Sequence, residues 1–409
     1  MTKNNQQEEK RKFDILVKKN EKENKLNEMY SEIAHGNKRE AKLLKRVKLG
    51  YSEHLLEQEY IKENVNLYTK EKAIKLDLET KPHPYNTCYN QNGSHSLIWN
   101  RDGFAASFGT QSLMLDFESD FTEISTATYL HSERYIALGQ ECLYIYNNRG
   151  VELHAVRSIK NILQSNFLPD HFLLGCMCCT STSNKLKYLD TTSGEIAAEL
   201  DIKFKPVASC HFDGIICLGD RRGVVDLVAP KQPEPLMKIK VHRNIKELKR
   251  GKDKLYVSTY DNKIKTFDLR NYFKPLQEIS TKYTDKMAIS TNGTVALGGG
   301  STVVLFDPNE AKINQEITTA TNIGSLEFNP FEDILTVTTR NKYESFVAPQ
   351  SSDIRYNADV ISPYMTKNEK REMEVKKLLE KIPPEMISYN SELISKIRRD
   401  KKVRPICRQ

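Results

Sequence analysis

Through the middle of the chain, hydrophobic and polar residues alternate in short runs, the period-two pattern of half-buried β-strands. One kind of run recurs: LMLD, LYIYN, LKYLD, VDLVA, IKTFD, VVLFD and YESFVA, ending at Asp116, Asn147, Asp190, Ala229, Asp268, Asp307 and Ala348. The intervals between these ends are 31, 43, 39, 39, 39 and 41 residues. A small sheet of this kind cannot bury both its faces alone, so units at a period of about 40 residues must stack around an axis. The pattern predicts an all-β fold, a seven-bladed WD-repeat β-propeller over residues 82–355. Residues 1–81 and 356–409 then lie outside the ring as charged helical extensions.

Each unit reads strand, turn, strand, loop, strand, turn, strand. Hairpin signals with a mechanism separate the strands: Arg101-Asp102-Gly103, Asn148-Arg149-Gly150, Asp261-Asn262-Lys263 and Asn292-Gly293 supply residues that tolerate positive φ. Blade three is the longest, with TSTSN in its hairpin, and the Pro-rich APKQPEP is expected to end blade four. The single tryptophan, Trp99, falls in SLIWN, the run expected to be the first strand, so no Trp-Asp dipeptide is present and spacing carries the assignment.

The extensions follow a helical period. Residues 38–49, KREAKLLKRVKL, place Leu44 and Val47 on one side and Lys42, Lys45, Arg46 and Lys48 around the rest. Towards the other end, Thr366 and Glu369 form a capping-box pattern. Val375, Leu378, Leu379 and Ile382 then fall at i, i+3, i+4 and i+7, giving helix 366–382 one apolar face for docking, and Pro383-Pro384 stops it. The stretch KIRRDKKVRPICRQ concentrates Arg398, Arg399, Lys401, Lys402, Arg404 and Arg408.

Charge sharpens this division. The chain carries a net +8, but residues 1–81 hold +4, residues 365–409 hold +6, and the stretch between them −2. Basic arms on a near-neutral ring suit contacts to a polyanion, of which nucleic acid is the commonest. No run approaches 18 apolar residues, so neither a membrane span nor a membrane partner is expected. The start, MTKNNQQEEKRKFD, lacks the apolar stretch of a secretory signal. Cys176, Cys178 and Cys179 fall in FLLGCMCC, a buried strand by composition, and thiols there suit a reducing compartment.

Candidate chemistry is sparse. The cysteine spacing does not suit zinc, and no His follows at a useful distance. Gly298-Gly299-Gly300 has no following Lys-Ser/Thr and reads as a tight inter-strand loop. His131, His171 and His211 repeat every 40 residues, which marks equivalent rim positions in successive blades and not one shared metal site. Glu332 and Asp333 follow Pro330 in a turn. Neither an enzyme, a cofactor nor a small-molecule substrate is expected.

Several stretches carry a family resemblance: 131–156, 166–175, 188–200, 264–276, 329–337 and above all 356–391, YNADVISPYMTKNEKREMEVKKLLEKIPPEMISYNS. Together they resemble the WD-repeat U3 small nucleolar RNA-associated protein 7 family, whose C-terminal domain pairs a charged helix with a Leu-Leu-Glu-Lys-hydrophobic-Pro stop. Ser362-Pro363-Tyr364 stands where that family has an Asn-Pro-Tyr-like start. The resemblance implies a nuclear, nucleolar scaffold of the small-subunit processome that binds pre-rRNA, the U3 snoRNP and other processome proteins. Candidate RNA contacts are Lys42, Lys45, Arg46, Lys48, Arg398, Arg399, Lys401, Lys402 and Arg404. Candidate partner contacts are Val375, Leu378, Leu379 and Ile382. A different interaction module, a WD-repeat substrate receptor of a ubiquitin ligase or a chromatin complex, is the alternative.

Overall fold

The computed structural model describes residues 45–387 apart from 53–54, 213, 252–253, 270–273, 309–310 and 353–364. Seven sheets, each built on four antiparallel strands, form a propeller. Blade one consists of Asn86–Tyr89, His95–Trp99, Phe104–Gly109 and Leu115–Asp120, running from the inner to the outer strand. Blades two to six repeat this order along the chain. Second strands lie between neighbouring blades and are buried on both faces, which is why LLGCMCC at Leu173–Cys179 and ILTVT at Ile334–Thr338 are nearly continuous apolar or small runs. Outer strands such as Ile196–Ile202 alternate between buried and wet positions.

The structure explains the short first interval. LMLD straddles a turn and the start of an outer strand, whereas every other recurring run is a third strand. The third strand of blade one is Phe104–Gly109. Counted from there, third strands end at 109, 147, 190, 228, 268, 307 and 347, and the irregular gap disappears. The Pro-rich segment at 229–235 joins the third and fourth strands of blade four and does not end the blade.

Blade seven corrects the expected boundary at residue 82. Its first three strands, Ser325–Phe328, Ile334–Thr338 and Lys342–Val347, come from late in the chain, but its fourth is Lys75–Asp77. Lys75 pairs with Glu344, Leu76 with Tyr343 and Asp77 with Lys342, antiparallel. Part of the segment 1–81 is therefore in the ring and closes it.

The residues just before that strand lie along the outer blade edges. The helix expected over residues 38–49 is a strand where the structure describes it: Lys45–Lys48 flanks Gln277–Ser280, and residues 38–44 lie outside the described residues. Edge pairing supplies the backbone partners that a helix of Lys and Val would otherwise supply itself. Gly50–Tyr51 then runs parallel to Lys312–Thr318, continued by hydrogen bonds from the Ser52 and Leu56 N–H groups to the Ile313 and Asn314 carbonyls, both 3.0 Å. The Gln58 side-chain amide takes the place of another strand, donating to the Val347 carbonyl at 2.8 Å and accepting from the Val347 N–H at 3.2 Å. A buried ion pair, Lys72 with Glu332, follows. Two short helices, Gln58–Asn64 and Leu67–Glu71, are the helical content of this stretch among the described residues.

Tyr343 seals blade seven against blade one. It is 1% exposed, its ring packs edge-on against Phe108 at 5.4 Å, and its hydroxyl lies 3.2 Å from the Ser96 hydroxyl. Truncating it leaves a cavity at the closure itself. Tyr343→Ala is expected to lower unfolding stability by about 3–5 kcal/mol, whereas Tyr343→Phe costs about 1 kcal/mol. Urea titration followed by tryptophan fluorescence measures both; equal small losses would mean that this contact does not hold the ring shut.

Candidate interaction surfaces

Alternating strand direction sorts the loops. First-to-second and third-to-fourth turns emerge on one face of the ring; second-to-third turns and the links between blades emerge on the other. The segment after residue 364 returns to the first of these faces. Its helix, Lys367–Leu379, starts at a complete capping box: the Thr366 N–H donates to Glu369 Oε2 at 2.8 Å, and the Glu369 N–H donates to Thr366 Oγ1 at 3.4 Å.

This helix and the residues just after it touch the turns that successive blades present on this face. Lys377 Nζ reaches Gln91 in blade one at 3.4 Å. In blade two, Lys370 Nζ donates to Glu133 at 2.7 Å and His131 Nε2 meets Glu374 at 3.0 Å. In blade three, Lys381 Nζ donates to Asp190 at 2.6 Å and to Thr192 at 2.7 Å. There the Ile382 N–H donates to the Asp170 carbonyl, and His171 Nδ1 donates to the Ile382 carbonyl, both at 3.1 Å. Past the Pro384–Met386 turn, Ile387 is 4% exposed over blade four. A Cβ on Gly214, at φ +84°, would lie 2.4 Å from His171 Nε2 and 3.2 Å from Ile387, so glycine is needed for this approach. A cavity of only about 60 Å³ remains between helix and rim.

The electrostatics agree with the geometry. Burial would raise the Glu133 carboxyl, but the hydrogen bond and charge of Lys370 outweigh it and hold the group below its ordinary value. Asp190 is also lowered, with Lys381 and Thr192 prevailing over burial. Burial lowers the Lys377 ammonium against the opposing pull of Asp170. Two of the three periodic histidines, His131 and His171, are thus receptors for the tail. The 40-residue period pointed to shared rim positions but carried no sign of what would sit on them.

The apolar face does not dock on the ring. Val375, Leu378, Leu379 and Ile382 are 57, 43, 83 and 40% exposed, and the opposite, charged side of the helix faces the rim. The physical reason is the rim, which offers carboxylates and a carbonyl at Glu133, Asp190 and Asp170 and so selects the lysine-bearing side. Of the basic candidates, Lys45, Arg46 and Lys48 lie in the strand Lys45–Lys48, while Lys42, Arg398, Arg399, Lys401, Lys402 and Arg404 lie outside the described residues. Cys176 and Cys178 are buried in a second strand, where burial pushes the Cys178 thiol up to about 11 and Cys176 further, which keeps both protonated and unreactive at neutral pH. Among the described residues no group of three or more His, Cys, Asp or Glu is placed to hold a metal.

Carboxyls whose folded values are lowered stabilise docking above their unfolded values and lose that contribution as pH falls through the folded ones. The tail is therefore expected to stay docked at pH 7 and to loosen below the ordinary Glu and Asp values of 4.5 and 3.8. At pH 7, Lys370→Ala with Lys381→Ala removes three hydrogen bonds from charged donors, and the two to carboxylates are worth roughly 1.5–3 kcal/mol each. Hydrogen exchange at residues 370–382 is expected to accelerate at least tenfold while the blades keep their protection. Unchanged exchange would show that the two lysines do not hold the helix.

Residues 313–390 match the BING4CT (NUC141) domain, a stretch that takes in the outer strand of blade six, the first three strands of blade seven and the tail helix. WD repeat-containing protein 46 from Caenorhabditis elegans is 32% identical over 355 residues, 84% of this chain and 60% of the relative. The mouse protein of the same name is 30% identical over 353 residues, 82% of this chain and 56% of the relative. U3 small nucleolar RNA-associated protein 7 from Saccharomyces cerevisiae is 29% identical over 372 residues, covering 84% and 66%. The chain thus spans 56 to 66% of the length of these relatives. Among solved structures, the β-propeller domain of Cps50 (Swd1) from Myceliophteria thermophila superposes with a TM-score of 0.56 at 12% identity, covering 67% of this chain and all of that one, which supports the fold. Matched along most of its length, blades and tail helix alike, the chain belongs to the WD-repeat family of U3 small nucleolar RNA-associated protein 7 and WD repeat-containing protein 46.

Proposed function

We propose that the chain is a non-enzymatic scaffold of the small-subunit processome, acting in the nucleolus to hold pre-ribosomal RNA and assembly factors together. The observation that supports this reading is the tail segment, the helix Lys367–Leu379 and the residues to Ile382, pinned to the rim by its charged side with four large apolar side chains turned to solvent. Burying one such side chain fully stabilises a complex by about 1.5–3 kcal/mol, so a rigidly presented row of them is a docking face for a protein partner. The name of the yeast relative, U3 small nucleolar RNA-associated, supports the particle. In this reading Lys42, Lys45, Arg46, Lys48, Arg398, Arg399, Lys401, Lys402 and Arg404 contact RNA through phosphates, which position a chain without reading sequence.

Gradient sedimentation of cell extracts tests this. The chain is expected to co-sediment with small-subunit precursors, and its depletion to reduce small-subunit rRNA while sparing large-subunit rRNA. Leu378→Asp with Leu379→Asp, both at exposed positions, is expected to leave the ring folded and move it out of those fractions. Co-sedimentation with a ubiquitin ligase or chromatin instead, or equal loss of both subunits, would overturn the assignment.

A further inference from the structure

The near-zero net charge of the ring conceals a concentrated cationic patch on the face opposite the tail helix. The link from blade three to blade four, between Ile196–Ile202 and Pro206–Phe212, carries Lys203, Phe204 and Lys205. The second-to-third turn of blade four, between Ile215–Asp220 and Val224–Val228, carries Arg221 and Arg222. All five residues line one open groove of about 760 Å³. The four cations are exposed, and none forms an ion pair with a described residue, unlike neighbouring Arg243, which Asp261 neutralises at 2.8 Å. One acid, the buried Asp220, also lines the groove, so the site keeps a net positive charge.

The two loops are held in place. Gly223 has φ +84°, and a Cβ there would fall 2.5 Å from the Arg243 carbonyl oxygen, so the Arg221-Arg222 turn lies directly on the link to blade five. The Val241 N–H donates to the Gly223 carbonyl at 2.8 Å. Phe204 packs partly against the core between blades three and four and leaves part of its ring on the groove.

We propose that this groove binds single-stranded RNA, with Lys203, Lys205, Arg221 and Arg222 on successive phosphates and Phe204 as a stacking surface for a base. Unpaired cations fixed on two loops match a phosphate backbone, and an aromatic ring between two lysines is the combination used for single strands. A groove sunk between loops admits an extended strand with splayed bases, where a rigid duplex would not enter. The site deepens the scaffold reading, on which it rests for the presence of RNA. It assigns an RNA contact to the ring itself and leaves the opposite face to protein.

The test uses the full chain and a fluorescent single-stranded RNA of about 16 nucleotides, titrated across salt concentrations. Replacing Lys203, Lys205, Arg221 and Arg222 by Gln is expected to reduce the slope of log K against log salt by about 3, from about 0.7 per phosphate contact. Phe204→Leu keeps the packing and is expected to weaken binding roughly fivefold or more with the slope unchanged. Ultraviolet cross-linking is expected to attach RNA to the peptide containing Phe204, and an unchanged melting curve confirms that the variants fold. An unchanged slope with no cross-link between residues 203 and 222 overturns the site, as does polyglutamate displacing RNA at equal charge, which would assign the groove to an acidic protein segment. Sedimentation separates the two readings: a chain that stays in pre-ribosomal fractions with an intact salt slope loses only the groove, whereas a reduced slope in a chain absent from those fractions retains it.

Discussion

Three residues from the early part of the chain, paired with a strand that arrives after the other blades are complete, determine whether the structure exists as a ring. Lys75–Asp77 supplies the outer strand of blade seven, and Tyr343, at the centre of that pairing, reaches across to Ser96 and Phe108 of blade one. A propeller with an open seam would expose the apolar flanks of two blades and an unpaired strand edge, a template for association with other chains. Closing the ring joins distant parts of the sequence, but loop entropy grows only logarithmically with length, so a short, well-packed pairing suffices.

The two ends of the described chain divide the remaining work. The N-terminal segment runs along the outer edges of blades five and six before it completes blade seven, using strand pairing and, at Gln58, a side-chain amide in place of a strand. The tail crosses blades one to four through ion pairs, histidines and one buried isoleucine. Both rely on polar partners that the blades present in repeated positions, so all seven blades are tied to a terminal segment. The consequence for function is an inversion: the tail helix spends its charged side on the ring and offers its apolar side outward.

The fold was legible because stacking around an axis imposes a period that degenerate repeats still obey, even with the Trp-Asp dipeptide absent. It failed locally where a short strand resembles something else. LMLD has the right composition but lies across a turn, and Lys45–Lys48 has a helical pattern whose backbone is claimed by an edge strand. The strand Lys75–Asp77 could not be recognised because three residues carry no periodicity and its partner lies far along the chain. The tail helix and its capping box were readable from local rules alone. Which of its faces would meet the ring was not, since that depends on Glu133, Asp170 and Asp190, which only the closed ring brings to one rim. The same holds for the cationic groove, whose lysines and arginines sit on separate loops of a segment with no net positive charge.

Asp77 and Lys342 are register partners at one end of the closing pair, Asp77 in the outer strand and Lys342 in the third. Introducing Asp77→Cys with Lys342→Cys and oxidising the full chain reports on closure directly, because a disulfide demands Cα atoms within about 7 Å. A ring closed by Lys75–Asp77 yields an intramolecular bond in nearly every molecule and raises unfolding stability by about 2–4 kcal/mol. Failure of the bond to form, or bonds formed between chains only, would contradict closure through this strand.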